Sequence, residues 1–244
     1  MKEQPSNEHL AYPISSGMKN CSDKLFIPSL YNMHEMACAA LIKEAPLCHL
    51  TSLNSNGGLS ATSIPLVLDE HEKPGESLML LGHIAKRNPH TADLKNGMPV
   101  LGVFSGPNSY ISPRWFKERL TVPTWSFSSV HVHGTLEIVN EPSQIRTILE
   151  STIEQLEFTV DGQQDDSSAH WSLKDADNEL VNRLLTGIVG LKININSMEG
   201  IARTVQEKSD IDRESIADGL CSSLNWQARR VGLKIKEILK QATG

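Results

Sequence analysis

The stretch Gly82–Phe127 reads GHIAKRNPHTADLKNGMPVLGVFSGPNSYISPRWFKERLTVPTWSF. Lys86 and Arg87 stand just before Asn88, which offers a helix N-cap, and Pro89, which suits the first helical position. Gly97 falls where a short helix would end, at its C′ residue. A helix start carries free backbone N–H groups and about half a positive charge. Two cations beside it add full charges, and Arg grips phosphate oxygens bidentately, so the turn suits a phosphate dianion. After the next strand, Val100–Phe104, come Tyr110, Trp115, Phe116, Trp125 and Phe127, a dense group for a chain with 5% aromatics. Aromatic rings cover flat ligands, and they also fill cores and interfaces. An anion turn followed by aromatics points to a phosphorylated aromatic ligand.

The residues on either side of this stretch read as an α+β chain. Leu47–Leu53 and Leu59–Leu68 flank Asn54-Ser55-Asn56-Gly57-Gly58, residues that tolerate positive φ and predict a hairpin. Leu78–Ile84 predicts a third strand. Val130, Val132, Leu136 and Ile138 alternate with polar residues, and so do Leu191, Ile193 and Ile195. Helical spacing runs from Pro28 through Leu30, Met33, Ala37, Ala40 and Leu41 to Pro46, and again through Ile145, Ile148, Leu149, Ile153 and Leu156. Leu180, Val181, Leu184 and Leu185 mark another helix, and the chain from about Arg213 is helical, becoming basic from Arg229 onward. Successive strands with helices at the periphery predict a closed antiparallel sheet. Residues 1–23 read as a disordered leader, with Met18 as an alternative start, and residues 159–170 as a mobile acidic connector. The barrel domain is expected over 24–200 and a helical segment over 201–244.

Composition narrows the function. The net charge is −6 and the pI near 5.8, so bulk electrostatics gives no support for nucleic-acid binding. Arg229, Arg230, Lys234, Lys236 and Lys240 make a basic tail able to meet DNA or an acidic partner, or simply to face water. Cys21, Cys38, Cys48 and Cys221 lack zinc-type spacing and read as reduced thiols of a cytoplasmic protein. No apolar run is long enough for a membrane span. His131 and His133 share a strand face and, with His83, form the one candidate for a metal or haem site, without a completing carboxylate or cysteine. No catalytic fingerprint and no acid–base carboxylate pair is present.

Several segments together resemble the PaiB-type family of FMN-binding negative transcriptional regulators. They are Phe26-Ile27-Pro28, Gly82 to Pro89, Ser105 to Pro113, Val122-Pro123-Thr124-Trp125 and Gly187-Ile188-Val189-Gly190, and the likeness runs from about Phe26 to Leu220. The resemblance implies a flavin-reductase-like split β-barrel and a homodimer with FMN at the subunit interface. It places the FMN phosphate at Lys86, Arg87 and Asn88, with Thr62 and Ser63 nearby, and adds His83, Trp125 and Gln206 as cofactor-binding candidates. After Gly200 the family's Lys-aromatic-Lys-Leu-Ser-Gln-Asn run is replaced by Ile201 to Lys208, with Gln206 retained and Arg203 as an approximate cation. That change predicts a weaker ligand contact there. The resemblance implies a regulator without turnover, binding DNA or a regulatory partner. The alternative by fold analogy is a flavin-dependent oxidoreductase, with haem binding as a third reading.

Overall fold

The computed structural model describes residues 25–69, 78–117, 121–161 and 170–242. The expected leader, and residues 162–169 of the expected connector, lie outside this set; residues 159–161 belong to a helix. Among the described residues eight strands form one antiparallel sheet in the order β1-β8-β4-β3-β2-β5-β7-β6. The strands are β1 Asn32–Met33, β2 Leu47–Leu53, β3 Leu59–Leu68, β4 Met79–Ala85, β5 Pro99–Ser105, β6 Ser109–Ile111, β7 Thr124–Val139 and β8 Ile188–Arg203. Because β7 also pairs with β8, the strands β2, β3, β4, β8, β7 and β5 close into a ring. The molecule is therefore an α+β split barrel with peripheral helices.

Period-two patterning decides which face is inside. Leu50, Ile64, Leu66, Leu80, Ile84, Val100, Phe104, Val130, Val132, Leu136, Leu191 and Ile193 fill the barrel, and α1 (Glu35–Glu44) adds Cys38, Leu41 and Ile42. Outside, α3 (Pro142–Asp161) and α4 (Asn178–Leu185) lay Ile145, Ile148, Val181 and Leu185 against Val67, Leu81 and Val139. A third cluster forms where α5 (Asp210–Cys221) and α6 (Trp226–Ala242) pack on Ile111 and Val205. Two positions show how closely these layers meet. A Cβ on Gly82 would strike Leu66 Cδ2 and approach the Pro65 carbonyl to 2.6 Å, and one on Gly190 would approach Ile148 Cδ1 to 2.9 Å.

The structure differs from the sequence reading in several places. The helix expected from Pro28 begins at Glu35; Ser29–Tyr31 is a 3-10 turn and Asn32–Met33 a short strand, with the His34 side chain accepting from Ala37 N as the cap. Leu30, the first apolar residue of that helical spacing, is more than half exposed. Gly97 has φ +79° but follows the end of α2 (Pro89–Asp93) by several residues, turning the chain into β5. β7 and β8 each run 16 residues, so Trp125 and Phe127 are strand residues and the sheet passes position 200 to reach Arg203. The helical tail is two helices, the first beginning at Asp210.

Candidate flavin site

The anion turn is built at the end of β4. Asn88 Oδ1 accepts from His90 N at 3.0 Å, which starts α2, and Pro89 occupies the first helical position. Asn88 Nδ2 reaches Thr62 Oγ1 at 3.4 Å, tying the turn to β3. Beneath it His90 is buried and holds two hydroxyls, Ser52 Oγ at Nε2 (2.8 Å) and Thr62 Oγ1 at Nδ1 (3.0 Å). Burial pushes the His90 imidazole below its ordinary value, with Asp93 opposing. Lys86 and Arg87 stand exposed on the turn, and Lys86 Nζ donates to Thr186 O at 2.8 Å. Lys86, Arg87, Asn88 and Thr62 are thus brought together, with Ser63 following on the same strand.

Alternation along β3 turns Thr62 toward the barrel mouth and Ser63 to the outer face, where its Oγ lies 2.9 Å from His49 Nδ1. Register then carries an outer-face row across four strands: Ser63 opposite His49, His49 opposite Val103, Val103 opposite His131. Three interstrand steps span roughly 14 Å. At the far end His131 lines a cavity of about 440 Å³ with Phe26, Trp125, Phe127 and Ser129. Trp125 Nε1 donates to Asn108 Oδ1 at 3.3 Å, and its ring meets Tyr110 edge-on with centroids 6.5 Å apart. Burial lowers the His131 imidazole, His133 adds to that, and Glu199 across the strand opposes it.

The aromatic group of the sequence is divided by the fold. Trp115 and Phe116 belong to the C-terminal cluster, where Gly219 leaves room for the Trp115 indole and Lys208 sits over the Phe116 ring. Tyr110, Trp125 and Phe127 are left for the cavity side. His83 is separate from His131 and His133: it lies opposite Gly190, level with Val139, with its Nδ1 buried and without a hydrogen bond. Burial lowers its imidazole as well. Among the described residues no group of three His, Cys, Asp or Glu is placed to hold a metal. Gln206 spends its amide inside the chain, accepting from Thr204 N at 2.6 Å and donating to Ala202 O at 2.6 Å and Leu30 O at 3.2 Å.

Most cations of the tail are engaged too. Arg229 donates to the Ser223 and Leu224 carbonyls, Arg230 pairs with Glu44, Lys234 with Glu237 and Lys236 with Asp218. His49, His90 and Phe26 were not among the expected site residues, because their roles come from strand register and burial rather than from a local motif.

A closed antiparallel barrel with a basic turn at one end of an outer strand row and an aromatic cavity at the other defines the class of flavin-type split barrels. The family model described as "Putative FMN-binding domain" matches residues 25–197, and the chain belongs to that family. The match assigns it an FMN-binding domain. The "Protease synthase and sporulation protein PAI 2" of Bacillus subtilis is 26% identical over 181 residues, covering 74% of this chain and 82% of that protein. Two solved structures share the fold. A conserved hypothetical protein of Mycobacterium tuberculosis superposes with a TM-score of 0.52 at 12% identity, covering 76% of this chain and 94% of the other. The flavocytochrome Anf3 of Azotobacter vinelandii gives 0.50 at 14% identity, covering 75% and 74%.

Proposed function

We propose that the protein is a homodimeric, cytoplasmic FMN-binding regulator of PaiB type. The observation that carries this reading is the outer-face row joining the Lys86–Arg87 turn to the Trp125–His131 cavity, because its span suits a ribityl phosphate laid across the strands. Arg87 and Lys86 hold the phosphate, Asn88 and Thr62 fix the turn, and Ser63 and His49 line the path. Trp125, Phe127 and His131 face the ring, while His83 and Gln206 shape the site from outside it. Leu47, Leu53 and Leu59 point outward from β2 and β3, and each is more than half exposed. A second copy laid on this face would remove them from water and cover the ligand.

The chemistry of the chain's own groups fits binding better than turnover. His131 and Glu199 lie opposite each other on adjacent strands at the ring end, but no described side chain there is arranged as a nucleophile with its base. The engaged cations of the tail favour regulation through a small molecule or a protein partner over a basic DNA-reading stripe. The test is an FMN titration of the purified chain, followed by absorbance and by sedimentation for the dimer. Saturable flavin binding by a dimer, without bleaching by NAD(P)H, is the expected result. Rapid bleaching identifies an oxidoreductase instead, and an absence of flavin binding overturns the site.

A further inference from the structure

A second cavity, of about 540 Å³, lies between α1 and α6. Ala37, Ala40 and Leu41 form one wall, Ala202 the floor, and Leu233 and Ile238 the other wall. The space exists because three of those positions are alanine. Its volume falls within the roughly 300–1,000 Å³ common for small-molecule pockets.

The four charged side chains around it, and the hydroxyls of Ser126 and Thr204, are already committed. Arg230 Nη2 meets Glu44 Oε1 at 3.0 Å, and Lys234 Nζ meets Glu237 Oε2 at 3.1 Å, so the rim carries two cancelled charge pairs. Ser126 Oγ donates to Arg203 O at 2.8 Å, and Thr204 Oγ1 lies 3.1 Å from Gln206 Oε1. A charged guest would lose its water without gaining an unpaired countercharge, whereas an apolar one gives up nothing on entry. The same argument keeps an FMN phosphate out. We propose that this cavity is a binding site for an uncharged, mainly apolar small molecule, separate from the flavin site.

The two cavities share a wall one strand thick. Phe127 and Ser128, adjacent residues of β7, border both. The apolar site nevertheless stands without flavin, and its test omits flavin. N-phenyl-1-naphthylamine, an uncharged fluorescent probe, is titrated into the full chain and into Ala202→Phe, with circular dichroism to establish folding. Saturable one-to-one binding is expected, weakened roughly tenfold or more when the phenyl ring fills the floor. If Ala202→Phe does not fold, Ala40→Phe fills the cavity from the exposed side of α1. Failure of the folded wild-type chain to bind the probe saturably, or unchanged affinity in a folded filling variant, overturns the proposal.

Discussion

Ser52 Oγ and His90 Nε2 lie 2.8 Å apart in the buried mouth of the barrel, under the turn that carries Lys86 and Arg87. His90 Nδ1 faces Thr62 Oγ1 at the same time, so the neutral ring spans two hydroxyls and links β2, β3 and α2. Replacing it with Ala removes both ring contacts and leaves the buried Ser52 Oγ with only a 3.5 Å approach to Leu53 O, which costs about 1–3 kcal/mol. His90→Ala should therefore lower the melting temperature by several degrees and loosen the anion turn. Differential scanning calorimetry and an FMN titration of the variant check both effects.

The same ring predicts an acid limb of stability. Burial lowers His90, His83 and His131 below the ordinary histidine value, so the unfolded chain binds protons that the folded chain refuses. The stabilisation is complete above about pH 6.5, the unfolded value. It is lost progressively as pH falls below that toward the folded values. Melting temperatures at pH 8 and pH 5.5 should show the decline, with a smaller decline in His90→Gln. An identical slope in wild type and variant would remove His90 from the explanation.

Gly82 opens the segment that leads to the anion turn, and the reason for glycine is a close approach rather than a special φ. Its missing Cβ would strike Leu66 Cδ2 and stand 2.6 Å from the Pro65 carbonyl oxygen, a backbone atom that cannot rotate away. Overpacking of this kind costs about 1–3 kcal/mol. Gly82→Ala should thus destabilise the barrel by that order in a urea melt, with the strand displaced enough to weaken ligand binding as well.

Strand pairing was the most legible feature of the sequence. The Leu47–Leu53 and Leu59–Leu68 hairpin stands at the bounds its alternation and its Asn-Gly turn predict. Asn88 caps α2 as its position before Pro89 implies. What stayed hidden depends on contacts distant in the chain. Helical spacing through Leu30 and Met33 is real, but Met33 pairs with Gly200 across β1 and β8, and sheet pairing prevails over local periodicity there. Trp115 and Trp125 look alike as neighbours in sequence, yet only the docking of α5 sends Trp115 to a core and leaves Trp125 at the cavity. His49 joins the candidate site solely through register, which a single sequence does not display.

Lys86 and Arg87 should separate when mutated singly, although they are adjacent and alike in charge. Lys86 Nζ holds the Thr186 carbonyl at 2.8 Å across the start of β8, so Lys86→Ala loses a structural hydrogen bond, worth about 0.5–1.5 kcal/mol, along with the proposed phosphate contact. Arg87 is exposed on the turn, and Arg87→Ala should weaken FMN by roughly tenfold with little change in melting temperature. Titrations and melts of both single variants provide the comparison. Unchanged FMN affinity in both would remove the phosphate from this turn.

Gln206 offers the sharpest contrast between a residue that touches ligand and one that positions the chain. Its Oε1 accepts from Thr204 N at 2.6 Å, and its Nε2 donates to Ala202 O and Leu30 O, pinning the end of β8 to the 3-10 turn at Ser29–Tyr31. Between them Val205 is fully buried at φ 56°, a left-handed conformation that costs a β-branched residue about 1–2 kcal/mol and persists only if its surroundings hold it. Gln206→Ala removes the clamp, so the strained turn should relax and amide exchange should rise at Thr204 to Glu207 and near Leu30. Gln206→Glu keeps the acceptor and loses both donations, so exchange should rise mainly at the Leu30 end. A ligand-contact role predicts the reverse: undisturbed exchange in the free protein and a loss of flavin affinity alone. Hydrogen-exchange mass spectrometry on the flavin-free variants distinguishes the two.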